Sequence, residues 1–224
     1  MIRCLDIHTH HPAPQPLAVV SASPEGFEPL ENQLYSVGIH PWLISRNLST
    51  PEWEIFEKSV SLPSVVAIGE CGVDKLKGGP MFLQLIIFKK QIDLSEKLGK
   101  PLIIHDVKAH NMIVGYKREY KPKQNWVVHG FRGKPTVAKM LTDEGIYLSF
   151  GENFNPESLR SVPKNMILAE TDESSLSIKE IIENLYNSLY PQSQESQTSH
   201  TTLEDFTSLI EVNTNRFLFG NNEI

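Results

Sequence analysis

The stretch LDIHTH, residues 5–10, alternates apolar and polar side chains and ends in two histidines. Successive side chains of a β-strand point to opposite faces, so Asp6, His8 and His10 share one face of the predicted strand. The two imidazoles lie about 7 Å apart at ~3.3 Å per residue, and they can converge on one metal ion. An ordinary strand can carry the same pair, so a metal site and a plain strand both fit this stretch.

Seven more short, mostly apolar runs follow the first strand. They cover residues 17–21, 34–40, 65–70, 101–105, 126–129, 146–150 and 166–170. Helical patterns separate most of them, as at 81–98, and two helices near the end of the sequence begin at Ser177–Glu180 and Thr201–Glu204. No helical pattern fits between the first two strands. The alternation predicts an α/β fold, a (β/α)8 TIM barrel with a shortened first β/α unit, in a single domain over residues 1–224.

Polar residues at the ends of these strands are the candidates for chemistry, because a barrel of this class has its active site at the C-terminal ends of the strands. A lone buried histidine at a strand end is commonly a satisfied core residue. Six such groups on one rim, without a metal, would leave many buried polar atoms unpaired. The set comprises four histidines and two carboxylates: His8, His10, Glu70, His105, His129 and Asp172. Six ligands exceed one tetrahedral site, and a carboxylate can bridge ions about 3.5–4 Å apart, so the sequence predicts two divalent ions.

The motifs around these residues resemble, in content and order, those of the TatD-related metal-dependent deoxyribonucleases of the amidohydrolase-like metal hydrolase superfamily. The resemblance covers essentially the whole chain. It is carried by HTH at His8–His10, GIHP at Gly38–Pro41, GECGVD at Gly69–Asp74, PLIIH at Pro101–His105, VVHGFRG at Val127–Gly133, ETD at Glu170–Asp172 and NTNRFLFG at Asn213–Gly220.

The resemblance implies a role for each matching position. One ion would be held by His8, His10 and Asp172, and the other by His105 and His129. Glu70 would bridge the two ions, and Asp172 would also orient or deprotonate the attacking water, which makes Glu70 and Asp172 the predicted catalytic residues. Magnesium or manganese is what the resemblance implies, whereas imidazole-rich ligands favour zinc or manganese.

Five further residues are candidates around the metal ligands. Asp6 and Glu170 have the strand parity to face inward below the ligands, where they would fix imidazole orientation or pack the barrel interior. His40 ends the third strand and would contact a phosphate oxygen or cap the following turn. Lys108 and Arg132 would contact phosphate, or they are simply solvated.

Composition limits the partners and the compartment. The formal net charge is −6 and the pI about 5.8, so the chain lacks the basic footprint of a protein that binds nucleic acid by bulk attraction. Cys4 and Cys71 have neither zinc-finger spacing nor the density of a disulfide scaffold, which favours a reducing interior. The amino terminus lacks a signal sequence and no apolar run is long enough to span a bilayer. We therefore expect a cytoplasmic protein without a membrane partner, as a monomer or weak homo-oligomer.

Two segments depart from the family pattern on the substrate side. The family commonly has a serine-arginine pair after the histidine of the fifth strand, where this chain has Asp106-Val107-Lys108, and a proline with a long loop after ETD, where this chain has Glu173-Ser174-Ser175. The leading hypothesis is a phosphodiesterase or deoxyribonuclease acting on single-stranded DNA or DNA ends. The alternatives are an amidohydrolase-like enzyme for another ester or an amide, and a barrel that binds without catalysis.

Overall fold

The computed structural model describes residues 4–11, 18–191 and 201–220. Eight parallel strands follow one another around a closed barrel, and the last strand pairs with the first through Ala169 and Asp6. The strands are β1 (Asp6–Thr9), β2 (Ala18–Ala22), β3 (Leu34–Val37), β4 (Val65–Asp74), β5 (Leu102–Val107), β6 (Trp126–Val128), β7 (Ile146–Phe150) and β8 (Ile167–Ala169). The predicted (β/α)8 barrel is confirmed.

Helices cover most of the strand connections on the outside of the barrel. In the described residues they are α1 (Thr50–Val60), α2 (Met81–Leu98), α3 (His110–Tyr120), α4 (Pro135–Thr142), α5 (Pro156–Ser161), α6 (Ile178–Leu189) and α7 (Leu203–Phe219). Residues 23–33, between β2 and β3, form turns and no helix. Residues 10–17 separate β1 from β2, and 12–17 of these lie outside the described ranges. The connection between β1 and β2 therefore comprises only residues 10–17, in agreement with the predicted shortened first β/α unit.

Helix boundaries follow the local sequence signals. Helix α2 has the predicted limits and ends at Gly99, whose φ of 68° is the left-handed conformation that glycine adopts without strain. The capping box of helix α7 lies one residue later than the predicted one at Thr201–Glu204. The reciprocal hydrogen bonds of the capping box join Thr202 and Asp205, so Leu203 is the first helical residue.

Strand β4 is longer than predicted, because its pairing with β5 continues past Glu70 as far as Asp74 and Val107. Gly72 makes this extension possible: its φ is 134°, and a Cβ there would lie 2.2 Å from the His105 carbonyl oxygen. Strand β3, in contrast, ends at Val37, and a short 3-10 turn at Pro41–Leu43 follows. The extension brings Asp74 beside the end of β5.

The barrel interior is apolar below the functional rim. Ile103, Val127 and Leu168 are fully buried in one cluster, and each lies two residues before a polar residue of the rim. Phe217 of α7 joins this cluster and stacks edge-on against Tyr147. The end of α7 therefore packs against the barrel away from the rim that carries the histidines.

No helix in the described ranges combines the length and the apolar character that crossing a membrane requires.

Candidate metal centre

Glu70 lies at the centre of the predicted ligands. It sits in β4 and is 7% exposed. Its Oε2 lies 3.4 Å from the Nε2 atoms of both His8 and His10. Its Oε1 lies 3.0 Å from His105 Nδ1 and 2.8 Å from His129 Nε2. Each carboxylate oxygen therefore faces a different pair of imidazoles.

The first group gathers at the junction of β1 and the segment after β8. His8, His10 and Asp172 each offer one ligand atom within 4.8 Å of the others. The backbone fixes this arrangement, because the Asp172 N–H donates to the His8 carbonyl at 2.9 Å and the Asp172 carbonyl accepts the His10 N–H at 3.0 Å. Asp172 has a φ of 53°, and its Oδ1 lies 3.7 Å from Nε2 of either histidine.

The second group consists of His105 and His129. In each ring, the nitrogen that points away from Glu70 faces a carboxylate, and this contact determines which nitrogen carries the proton. His105 Nε2 lies 3.1 Å from Asp74 Oδ2, so a proton on Nε2 leaves the lone pair of Nδ1 directed toward Glu70. His129 Nδ1 faces Glu170 Oε1 at 3.6 Å, which favours the proton there and the lone pair on Nε2. In their neutral forms, the forms that bind an ion, both rings would thus present a lone pair on the side of Glu70 Oε1, whereas a protonated His129 donates to it from Nε2.

His40 approaches the same oxygen in the opposite tautomer. Its Nδ1 accepts the Trp42 backbone N–H at 3.1 Å, and its Nε2 lies 3.0 Å from Glu70 Oε1. A neutral ring whose Nδ1 is an acceptor carries its proton on Nε2. His40 therefore offers Glu70 an N–H donor, and it also caps the 3-10 turn at Pro41–Leu43.

Asp74 is a further residue of the site, beyond those predicted from the sequence. It is 3% exposed, and its Oδ2 accepts from Trp42 Nε1 at 2.7 Å as well as facing His105. Its Oδ1 accepts the backbone N–H groups of Leu76 and Lys77. The signal was present in GECGVD, since Asp74 follows Glu70 by four residues and therefore has the same strand parity.

The two predicted supporting carboxylates act at different places. Asp6 accepts the backbone N–H groups of His8 and Thr171 at 3.3 and 3.0 Å, so it holds backbone beside the ligands rather than an imidazole. Glu170 is fully buried, accepts a hydrogen bond from the Ser149 hydroxyl, and faces His129.

The predicted cationic contacts lie farther out. Arg132 is exposed and lines a cavity of ≈ 210 Å³ that also includes Asp172 and Glu173 in its wall. Lys108 is exposed, with a φ of 54°. It lines neither this cavity nor the larger cavity over the metal ligands that is described below. The structure thus brings Arg132 close to the centre and leaves Lys108 outside it.

Burial and charge set the ionisation of the centre. Burial raises the pKa of Glu70, but the charge of His129 and the hydrogen bonds of the surrounding histidines outweigh it and hold that pKa well below its usual range. Burial lowers the pKa of His129, yet the carboxylates of Glu70 and Glu170 outweigh it and raise this pKa. For Asp6, burial dominates and raises the pKa to about 7. Glu70 is therefore an anion at neutral pH.

The residues present fit divalent ions. His8 is fully buried, and neither of its ring nitrogens makes a hydrogen bond within the described part of the chain. An unpaired buried polar group costs about 1–3 kcal/mol, which a cation bound to the imidazole lone pair would offset. Imidazole nitrogens combined with carboxylate oxygens are a donor set that suits zinc and manganese.

A cavity of ≈ 450 Å³ opens over the centre at the C-terminal rim of the barrel. It is lined by five of the six predicted ligands, His10, Glu70, His105, His129 and Asp172, together with His40. His8 lies beneath them and is not exposed. A small ligand can therefore reach the centre from solvent.

Comparisons with known proteins place this chain in a family. The family model described as TatD related DNase matches residues 25–218, which is most of the chain and begins after β1. An uncharacterized metal-dependent hydrolase from Buchnera aphidicola subsp. Baizongia pistaciae is 35% identical over 155 residues, covering 65% of this chain and 58% of that protein. The uncharacterized metal-dependent hydrolase YjjV from Escherichia coli K12 is 25% identical over 164 residues, covering 69% of this chain and 62% of YjjV.

The chain therefore spans about three fifths of the length of these two curated relatives. The crystal structure of YjjV, a TatD homolog from Escherichia coli K12, superposes with a TM-score of 0.78 over 97% of this chain and 98% of that chain, at 18% sequence identity. This likeness supports the barrel fold. The extent of the family match confirms the resemblance seen in the motifs: the chain belongs to the family of TatD-related DNases.

Proposed function

We propose that the chain is a divalent-metal-dependent hydrolase of phosphodiester bonds, and that single-stranded DNA or DNA ends are its substrate. The observation that carries the proposal is the position of Glu70: its two oxygens face separate pairs of the predicted ligand imidazoles below an open cavity. Membership of a family described as DNases supports the choice of substrate.

Two divalent ions, Mg, Mn or Zn, would be held by His8, His10 and Asp172 on one side and by His105 and His129 on the other, with Glu70 between them. Bound there, the ions would supply positive charge to a phosphate and lower the pKa of a bound water.

The chain's own residues would divide the remaining work. Asp172 is one-quarter exposed at the cavity wall, where its carboxylate would orient the attacking water and accept its proton. Once an ion takes the place of His40 at Glu70 Oε1, the Nε2 proton of His40 would be available to donate to a phosphate oxygen. Arg132 would contact a neighbouring phosphate from the adjoining cavity, and Lys108 would meet only a longer strand.

The charge of the site makes ion dependence necessary for this substrate. Glu70, Asp172 and Glu173 all line the cavity, in a chain of net charge −6. A phosphodiester would be repelled by these carboxylates unless cations neutralise them. DNA would contact the protein only over a short stretch at the barrel rim, and not along a basic groove. Such a site favours DNA ends and single-stranded DNA.

We further propose that residues 1–224 act as one barrel domain, as a monomer or weak homo-oligomer in the cytoplasm. Cys4 and Cys71 are both buried free thiols, which suits a reducing compartment.

The test is hydrolysis of bis-p-nitrophenyl phosphate and of end-labelled single-stranded DNA, with and without magnesium or manganese. We expect metal-dependent products from both substrates, and no products with Asp172→Ala. The end from which the label is released gives the polarity of attack. A stable, metal-loaded protein that cleaves neither substrate would contradict the proposal, and activity on a panel of carboxylic esters and amides would then support the amidohydrolase-like alternative.

A further inference from the structure

Trp42 is held in a fixed orientation although it is 46% exposed. Its indole Nε1 donates to Asp74 Oδ2 at 2.7 Å, and the Lys77 ammonium lies 3.3 Å from the ring centroid. A hydrogen bond at the edge and a cation on the ring face restrain the side chain before any ligand arrives. An aromatic side chain that is already ordered loses little conformational entropy on binding.

The ring stands directly beside the candidate metal centre. Its centroid lies 4.8 Å from that of His40 and 5.5 Å from that of His105. Trp42 and the 67% exposed Leu43 line the ≈ 450 Å³ cavity, whereas Lys77 does not, so Lys77 supports the ring from outside. The wall of the cavity thus combines an aromatic and an apolar side chain with the carboxylates Asp172 and Glu173.

We propose that Trp42 is the stacking surface for the nucleobase next to the cleaved phosphodiester, which makes the preferred substrate a nucleotide ester rather than a simple alkyl phosphodiester. The inference rests on the proposed function, since a phosphate placed at Glu70 brings the attached nucleoside within reach of this wall. Stacking on an aromatic ring tolerates any base, because every base has a π-face. Trp42 would therefore set the class of substrate without reading its sequence.

Trp53 provides a matched control within the chain. It is half-buried on α1, and the Lys90 ammonium lies 4.5 Å from its ring centroid, as Lys77 does for Trp42. Trp53 does not line the cavity. Substitutions of Trp53 reproduce the loss of an indole with a stacked lysine at a site away from the proposed chemistry.

The kinetic experiment compares two diesters, the p-nitrophenyl ester of thymidine monophosphate and methyl p-nitrophenyl phosphate. In the wild type, kcat/KM should be higher for the thymidine ester. Trp42→Ala should reduce that preference roughly 5- to 150-fold, which corresponds to the free energy that alanine substitution of a stacking aromatic costs per base. Damage to the metal centre would slow hydrolysis of both esters equally. The ratio of the two kcat/KM values therefore reports only the contribution of the base. Trp42→Phe should keep most of the preference, and Trp53→Ala all of it.

The binding experiment does not depend on turnover. Thymidine monophosphate, which has no diester to cleave, is titrated in magnesium while tryptophan fluorescence is recorded. Quenching should occur in the wild type and in Trp53→Phe, and should be absent in Trp42→Phe, whose remaining tryptophans lie away from the base. Inorganic phosphate should cause none.

The two proposals fail in different ways. Hydrolysis of both esters with an unchanged ratio in Trp42→Ala would overturn the stacking role and leave the phosphodiesterase standing. Failure to hydrolyse either ester would overturn the phosphodiesterase, and the fluorescence titration would then decide on Trp42. Quenching by the nucleotide that persists in Trp42→Phe, or no quenching in the wild type, also overturns the inference.

Discussion

Glu70 combines three properties that a bridging ligand needs. It is almost fully buried, it is held ionised by the surrounding histidines, and its two oxygens point to different groups of ligands. An isolated buried carboxylate would be costly, so its environment must supply compensating positive charge. Histidines supply it in the metal-free protein, and ions would do so in the loaded one.

Glu70→Ala and Asp172→Ala should each abolish turnover, with a loss of at least about 10²-fold, the lower range for removing one acid–base group. Far-UV circular dichroism should remain that of a folded barrel, because neither side chain belongs to the apolar core. Glu54→Ala, which removes an exposed carboxylate on α1, is the control and should keep full activity. Wild-type rates in either site variant would refute the assignment.

Asp74 contacts His105 and does not line the cavity over the centre. Asp74→Asn keeps the shape of the side chain but replaces a carboxylate oxygen with an amide, so the proton on His105 Nε2 loses its anionic acceptor. We expect divalent-ion affinity to fall about 10- to 100-fold, as for other residues that orient a ligating imidazole. Calorimetric titration of the metal-free protein measures this. Asp143→Asn, an exposed carboxylate paired with Lys139, should bind ions like the wild type, and equal affinities in all three proteins would contradict the role.

Helix α2 positions two segments of the rim through buried amides. Gln84 is 1% exposed, accepts the Asp74 backbone N–H at 2.8 Å and donates to the Gly79 carbonyl at 2.9 Å. Gln91 is fully buried, accepts the Ile39 N–H at 2.9 Å and donates to the Ile39 carbonyl at 3.2 Å. Two turns of one helix thus fix the backbone next to His40 and at Asp74.

Gln91→Leu should destabilise the protein by about 1–3 kcal/mol, because both backbone groups of Ile39 are then buried without a partner. Urea unfolding followed by fluorescence gives this free energy. On the same helix, Asp93→Asn changes an exposed side chain and should stay within about 0.5 kcal/mol of the wild type. A midpoint for Gln91→Leu that matches the wild type would show that the amide is dispensable.

Elements with strong local signals were predictable from the sequence, and those set by tertiary pairing were not. Helix α2 and strand β7 have the predicted limits because glycine or a buried apolar run marks their ends. Strand β4 exceeds its prediction, since its last residues pair only because β5 lies alongside. Helix α5 is not predictable from the sequence, because six residues are too few to show a helical period.

The candidate site shows the same division. The predicted ligands end buried strands, which the alternation of side chains reveals, and the structure brings all six together. Trp42 follows a proline in a short turn, and only the folded barrel shows that its ring meets His40, His105 and Asp74. Contacts between side chains from different strands have no local pattern in the sequence.

At the scale of the whole molecule, ion binding should add to the stability of the barrel. The ligands lie far apart in the sequence, from His8 to Asp172, and meet only in the folded state, so ions that bind there favour folding. Chelation should abolish activity and lower the melting temperature; at an ion concentration of about 100 Kd the stabilisation is ~2.7 kcal/mol. Scanning calorimetry with and without EDTA measures the shift. In Glu70→Ala, EDTA should change the melting temperature much less than in the wild type. An equal change in both proteins would mean that the stabilising ions bind elsewhere.

The Asp74 oxygen that faces both His105 and Trp42 has a thermodynamic consequence. A ligand that strengthens the contact of this oxygen with one of these residues would alter its contact with the other. Ion binding at His105 and nucleotide binding at Trp42 would therefore be linked. Linkage is reciprocal: whatever factor the ion adds to nucleotide affinity, the nucleotide must add to ion affinity. A single shared acceptor would thus make this rim cooperative, and the cell's supply of nucleic-acid ends would itself help to decide how much metal the protein carries.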